Sequence, residues 1–327
     1  MKTVFSLLLA AFAAAVTAFS GAIAGDVRAA LERCAEVLIP SLFAPLAASE
    51  LLLRSGGYRA LSRVMKPFSR LMGLPEEQGA VFLLANAAGY PAGAALIASM
   101  RGRGLDRRSA EGLMCFCCNG GFAFFAGVTG SARGGLMVWL IVLAANLLTA
   151  AVVCRLRPIA PPPPGEGSCG LSRLLPDSVA AAGRALFRAC TMILFFAAAL
   201  SLMRLGCERA GVGRLLDVAA PFAEVTELSG SGAAFPLVCA AGAFGGACVH
   251  LQIKAIAGES FSVLPFLAAR AVCAALAAAM AVPAGRFLYE GGAVQAAAVV
   301  RPAQGSLFPA VCLAAMVALT AKKVNSE

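Results

Sequence analysis

Gly79 to Met100, GAVFLLANAAGYPAGAALIASM, is an apolar run interrupted at its middle by Asn86 and by Gly89-Tyr90-Pro91-Ala92-Gly93. About 20 apolar residues in a helix cross a bilayer. Pro91, however, removes a backbone donor, and Gly89 and Gly93 loosen the helix where lipid offers no replacement hydrogen bond. The interruption must therefore face protein or water. Broken helices at membrane depth commonly build substrate sites, because unwound backbone and half-helix ends become available to a polar ligand. The plainer alternative is a proline-kinked spanning helix with close-packed glycines.

The rest of the chain fits that setting. Of its 327 residues 60% are hydrophobic and only 13% charged, with a mean hydropathy of +0.83; soluble domains carry about 25% charged residues. We expect an all-α, polytopic integral membrane protein whose surrounding partner is the lipid bilayer. The net charge of +10 then belongs to short loops and reports orientation toward an anionic cytoplasmic face. Nucleic acid is not expected as a partner, since no soluble basic domain is present.

Taken in order, Val4 to Ala24 is a first apolar run after Lys2, and its Ala22-Ile23-Ala24 ending resembles a signal-peptidase site. A retained first helix (residues 1–25) with a cytoplasmic N-terminus is the preferred expectation, cleavage the alternative. Asp26 is placed to cap the helix that follows. Val37 to Leu53 carries Pro40, Pro45 and Glu50. A carboxylate in a spanning segment costs a few kcal/mol unless paired or wetted, so Glu50 is a functional candidate; pairing with Arg54 at the interface is its structural alternative. Gly56 to Leu74 is amphipathic and reads as an interfacial helix.

Basic loops flank the central stretch, with Arg101, Arg103, Arg107 and Arg108 after it. If both lie in the cytoplasm, the stretch is a re-entrant hairpin with its tip at the glycines; a single crossing is the alternative. Leu113 to Gly130 is a second interrupted run, broken at Asn119-Gly120-Gly121. Leu136 to Val153 is an uninterrupted span. Consecutive prolines favour an extended linker over residues 158–175.

The second half echoes the first. Gly242-Ala243-Phe244-Gly245-Gly246 falls on Gly89 to Gly93 at a constant offset, and Pro221-Phe222 on Pro67-Phe68 at nearly the same one. Two repeats are expected, at 26–157 and 176–327. Arg204 to Glu259 is not Arg-rich, which suggests an extracytoplasmic placement and repeats inverted in the membrane. Phe261 to Val282 and Gly305 to Thr320 complete about seven full spans plus two broken or re-entrant segments.

Several chemistries are disfavoured. Cys115, Cys117 and Cys118 offer two adjacent thiols and only one more on the same turn, a poor tetrahedral set for a metal, and no nucleophile–base pair or phosphate loop is visible, so neither metal, cofactor nor enzymatic activity is expected. His250, Gln252 and Lys254 cluster in an apolar run, and His250 joins the candidates for a polar path; snorkelling of Lys254 is the alternative.

Pro40-Ser41-Leu42-Phe43, Ala48-Ser49-Glu50-Leu51-Leu52, Gly89-Tyr90-Pro91-x-Gly93-Ala94 and Phe116-Cys117-x-Asn119 together resemble the YlbJ family of sporulation integral membrane proteins. That family carries the gate, or nucleoside-recognition, domain also found in a ferrous-iron transporter and in concentrative nucleoside carriers. The resemblance implies two gate-like repeats in a bacterial cytoplasmic membrane, a role in spore cortex formation, and sporulation membrane proteins as partners. The chain departs from the pattern at Cys118 and Phe122, where relatives tend to have an asparagine and a proline. The functional expectation is movement or gating of a small polar solute, with Asn86, Asn119, Gly120 and Gly121 beside Gly89, Tyr90, Pro91 and Gly93, and Gly242, Gly245 and Gly246 opposite them. The rival is a scaffold that recruits spore-envelope machinery through its basic face.

Overall fold

The computed structural model describes residues 2–164, 170–228, 234–258 and 261–288, and within them it is helical without strands. Five helical runs are long and apolar enough to cross a membrane: Arg107–Thr129, Ala132–Leu156, Leu171–Arg209, Phe235–Ala257 and Val263–Gly285. The chain is a polytopic membrane protein. The expected last span, Gly305 to Thr320, lies outside the described residues.

The N-terminal run differs from the single helix expected over Val4 to Ala24. Helix α1 (Lys2–Ala18) ends at Phe19, and α2 (Ser20–Arg33) leaves it at 92°. Asp26 lies inside α2 instead of capping a helix. A π-helical turn, Cys34–Leu38, joins α2 to α3 (Ile39–Ser55) without interruption. Pro40 lacks an amide hydrogen and crowds the preceding turn, and widening that turn lets the helix continue. Gly56, at φ 76°, ends α3 in the left-handed conformation.

Helix α4 (Tyr58–Met72) buries Tyr58, Ser62, Met65, Ser69 and Met72 against the bundle and exposes Val64, Phe68 and Leu71 beside Arg59, Arg63 and Arg70. This is the amphipathic face an interfacial helix needs. The central stretch becomes α5 (Glu76–Ala88) and α6 (Tyr90–Gly102), parted by the single residue Gly89 at φ 94°, ψ −178°. Only glycine reaches that conformation without strain. Pro91 stands in the first turn of α6, where its missing donor is harmless.

These two helices form a hairpin. Gln78 in the first turn of α5 donates to the Ala160 carbonyl at 2.8 Å, and Ser109 in the first turn of α7 (Arg107–Cys117) accepts from the Ala160 amide at 2.8 Å. A straight helix through the same residues would separate those points by about 46 Å. The extended segment that holds them, residues 158–164, is packed under the bundle with Ile159 and Pro163 buried. It ends earlier than the expected 158–175 linker, because α10 (Leu171–Arg209) already begins at Leu171.

After α7, residues 118–121 are non-helical, and α8 (Phe122–Thr129) and α9 (Ala132–Leu156) follow. Beyond α10, α11 (Gly213–Ala223) leads to α12 (Phe235–Phe244), which breaks at Gly245 and Gly246 into α13 (Gly246–Ala257), and α14 (Val263–Leu288) returns. The break at Gly245 sits within a run long enough to cross as one, whereas its first-half counterpart at Gly89 is a hairpin tip. The two interruptions matched by sequence offset therefore differ in shape.

One end of the bundle is basic. It gathers the C-terminal ends of α3, α6, α9 and α13 with the N-terminal ends of α7 and α14 and the stretch of α10 around Arg188, through Arg103 to the Leu53 carbonyl, Arg157 to Glu111, Ser262 to Glu111 and Arg188 to the Ala255 carbonyl. At the opposite end Arg204 pairs with Glu227, and the Arg209 guanidinium lies 5.1 Å from the centre of the Phe19 ring.

Candidate functional site

The hairpin tip lands on the break between α7 and α8. A Cβ added to Gly93 would sit 1.9 Å from the Cys117 carbonyl oxygen, and one on Gly121 would sit 3.1 Å from the Ala87 oxygen and 3.4 Å from Gly89. Backbone meets backbone there, which only glycine permits. Cys117 and Cys118 leave carbonyls outside any helical ladder, so the contact is polar at its centre although its walls are apolar.

Asn86, in the last turn of α5, and Asn119, inside the break, are both buried. Asn119 Nδ2 donates to Asn86 Oδ1 at 2.8 Å, and Asn86 Nδ2 donates to the Phe82 carbonyl at 2.8 Å. On the other side, Asn119 Oδ1 accepts from Arg270 Nη2 at 2.8 Å. Arg270, on α14, has no exposed surface; it also donates through Nη1 to Asn146 Oδ1 on α9 at 2.8 Å and through Nη2 to the Ala243 carbonyl at the end of α12. The amide orientations follow from the guanidinium, which can only donate. Asn119 must turn its oxygen to Arg270 and its nitrogen to Asn86, and Asn146 turns its own nitrogen to the Val142 carbonyl at 2.8 Å.

Tyr90 closes the same locus. Its hydroxyl donates to the Gly242 carbonyl at 2.5 Å, its ring stacks edge-on with Phe124 at 5.3 Å, and Gly245 leaves space for it, since a Cβ there would stand 3.2 Å from the ring. Trp139 Nε1 reaches the Asn86 carbonyl at 3.4 Å. Three helix interruptions, at Gly89, Cys118–Gly121 and Gly245, thus meet around one buried cation.

Of the residues singled out from sequence, Asn86, Gly89, Tyr90, Gly93, Asn119, Gly121, Gly242 and Gly245 come together here. Pro91 starts α6 beside them, and Gly120 packs on Phe125. Gly246 faces the Ala223 carbonyl and the Val225 amide, on the side of α11. His250 is buried between Phe244 (4.6 Å) and Phe266 (4.9 Å), with Nδ1 2.5 Å from the Gly246 oxygen. Glu50 stands apart, near the basic end of α3, 2% exposed and paired with Arg54 at 2.9 Å.

Near Gly246, Glu224 is 3% exposed and accepts from the Thr226 amide at 3.2 Å; burial raises its carboxyl above the usual range. Arg270 and Asn146 were missed in the sequence. The available signal was a single ionisable residue in the apolar run Phe261 to Val282, since a charge inside a spanning segment marks a functional site by default.

No group of three or more metal-ligating side chains occurs among the described residues. Comparison with known proteins found no family model, no curated protein and no solved structure that matches this chain.

Proposed function

We propose that this membrane protein moves or gates a small polar solute, bound where the interruptions at Gly89, Cys118–Gly121 and Gly245 converge. The observation that supports this most is Arg270. A guanidinium with no exposed surface is costly in a bilayer, and its three described bonds all end on neutral oxygens. A purely structural bundle gains more from an apolar side chain at that place. An aqueous or solute-binding state, reached when the hairpin shifts, gives the charge a purpose.

The second support is that the locus is held by carbonyls of a helix's last turn. The Gly242 and Ala243 carbonyls are bound by Tyr90 and Arg270 side chains, so a solute can exchange for them without breaking a helix. By the positive-inside rule the basic end faces the cytoplasm. The likeness to YlbJ-type gate proteins adds a place for this activity, in the membrane of a sporulating bacterium.

The test is uptake from a mixed pool of small metabolites into proteoliposomes, read by mass spectrometry, for the native chain, Asn86→Ala and Asn119→Ala at matched incorporation. One solute class is expected to accumulate with the native chain and to drop at least tenfold with either variant. Absence of uptake for every class, or equal uptake by the variants, overturns the proposal. The scaffold reading, supported by the exposed Arg107 and Arg108, then takes its place.

A further inference from the structure

A second polar place lies away from the Arg270 locus. Between α3, α6 and α10, toward the basic end, a cleft of about 180 Å³ is lined by Glu50, Arg54, Ser99, Arg184 and Arg188, its remaining wall mostly alanine. Three arginines and one glutamate leave an excess of two positive charges. Arg54 Nε binds Glu50 Oε1 at 2.9 Å, so these two charges offset each other, Glu50 Oε2 staying buried without a partner, and the excess falls on Arg184 and Arg188. Arg188 gives one nitrogen to the Ala255 carbonyl at 3.2 Å, a contact that orients it without neutralising it.

Arg184 and Arg188 are four residues apart on α10, hence neighbours on one helix face, where like charges destabilise each other. An anion between them reverses that sign. Two guanidinium groups from α10 and the Ser99 hydroxyl from α6, lining one cleft, suit a group with three or more acceptor oxygens, which a phosphate has and a carboxylate lacks. The alanines supply the room: at Ala95, Ala98, Ala181, Ala182 and Ala185 no longer side chain fills the space.

We propose that this cleft binds a phosphate group. Its source is either the headgroup of an anionic phospholipid or a soluble phosphate-bearing solute. Location suits both, because the cleft lies where the C-terminal ends of α3 and α6 meet α10 at the basic face, and Phe187, 71% exposed next to Arg188 in the chain, offers apolar surface alongside. The inference goes beyond the transport reading and does not depend on it.

The experiment uses the full chain in nanodiscs. One arm titrates inorganic phosphate into phosphatidylcholine discs; the other compares phosphatidylcholine with phosphatidylglycerol discs. Both read the thermal midpoint, and native mass spectrometry counts retained lipid. Arg184→Gln/Arg188→Gln is set against Arg59→Gln/Arg63→Gln, which removes the same charge from α4.

A rise in midpoint of several degrees is expected in at least one arm, with apparent affinity weakened at least tenfold in the α10 variant and kept in the α4 variant. A rise with phosphate identifies a soluble ligand; a rise only with phosphatidylglycerol, with lipid retained, identifies a headgroup. No rise in either arm, or equal loss in both variants, overturns the proposal. Should the double variant not fold, Arg184→Gln alone, at an exposed position, carries the same comparison.

Discussion

Arg270 and Asn119 stand 151 positions apart in the chain and 2.8 Å apart in space, guanidinium Nη2 to amide Oδ1. The bond joins α14 to the break between α7 and α8, and through Asn86 it reaches the tip of the hairpin. Because each amide is oriented by its neighbour, the series Arg270, Asn119, Asn86, Phe82 carbonyl behaves as one polarised unit. Asn119→Ala leaves a charged donor and the Asn86 oxygen unmatched in a dry interior, a loss of about 1–3 kcal/mol. It should lower the thermal midpoint in detergent.

Aspartate at the two asparagines separates their roles. At position 146 a carboxylate still accepts from Arg270, and its second oxygen needs only to turn from the Val142 carbonyl, which belongs to the helix's own ladder, so Asn146→Asp is expected to hold or raise the midpoint. At position 119 the carboxylate faces the Asn86 oxygen, and Asn119→Asp should lower it. Equal effects at both positions would refute the assigned amide orientations.

Tyr90→Phe keeps the ring against Phe124 and removes one hydrogen bond. The Gly242 carbonyl it leaves is buried, so the cost is expected near 1 kcal/mol, a fall of a few degrees in the midpoint. If the hydroxyl marks a place where solute exchanges for protein, uptake should fall more than stability does. Parallel measurement of both on the same preparation decides it.

Much of this was legible in the sequence for physical reasons. Glycine, proline and asparagine inside apolar runs announce interruptions, and Gly89 and Asn119 do interrupt. Basic residues on both sides of Gly79 to Met100 favoured a hairpin over a single crossing, and the Ala160 clamp gives α5 and α6 that hairpin shape. What pattern could not supply was pairing at a distance. Nothing local in the apolar run around Arg270 says that its partners are Asn119, Asn146 and the Ala243 carbonyl. The 92° bend at Phe19 was harder to see, since Val4 to Ala24 contains no proline, no charge and a single glycine, Gly21, two residues past the bend.

Glycines provide a contrast of like substitutions. Gly93→Ala drives a methyl into the Cys117 carbonyl, 1.9 Å away, and backbone on both sides cannot yield; the hairpin must withdraw from the break. Loss of about 3 kcal/mol or more is expected, with poor yield of folded protein. Gly102→Ala, with nothing within 4 Å at the end of α6, should change stability little or raise it slightly. Fluorescence-detected size-exclusion chromatography of the pair after graded heating gives the comparison.

At the head of α7, Asp106 accepts from the Ser109 amide at 2.9 Å, and the Ser109 hydroxyl first, with this capping amide second, holds its carboxyl below the ordinary 3.8. A depressed acid stabilises the fold fully above its unfolded pKa, and the contribution fades as pH falls through the folded value. Asp106→Ala should cost about 1 kcal/mol at neutral pH. Asp106→Asn should retain most of the cap, so the gap between native and Asn variants is expected to narrow below about pH 4. Hydrogen exchange of the first turn of α7 across that range reads it directly.

The hairpin makes a sharper demand on topology than any substitution. Arg59 on α4 precedes it, Arg108 on α7 follows it, and Glu208 ends α10 at the opposite face; all three are exposed. In a cysteine-free background, Arg59→Cys and Arg108→Cys should share one accessibility to a membrane-impermeant thiol reagent, protected in intact cells and labelled after permeabilisation. Glu208→Cys should be labelled from outside. If Arg59→Cys and Arg108→Cys differ, the residues between them cross the membrane. Gln78 and Ser109 could not then meet at Ala160 in the native bilayer, and the convergence of helix breaks on Arg270 would lose its hairpin.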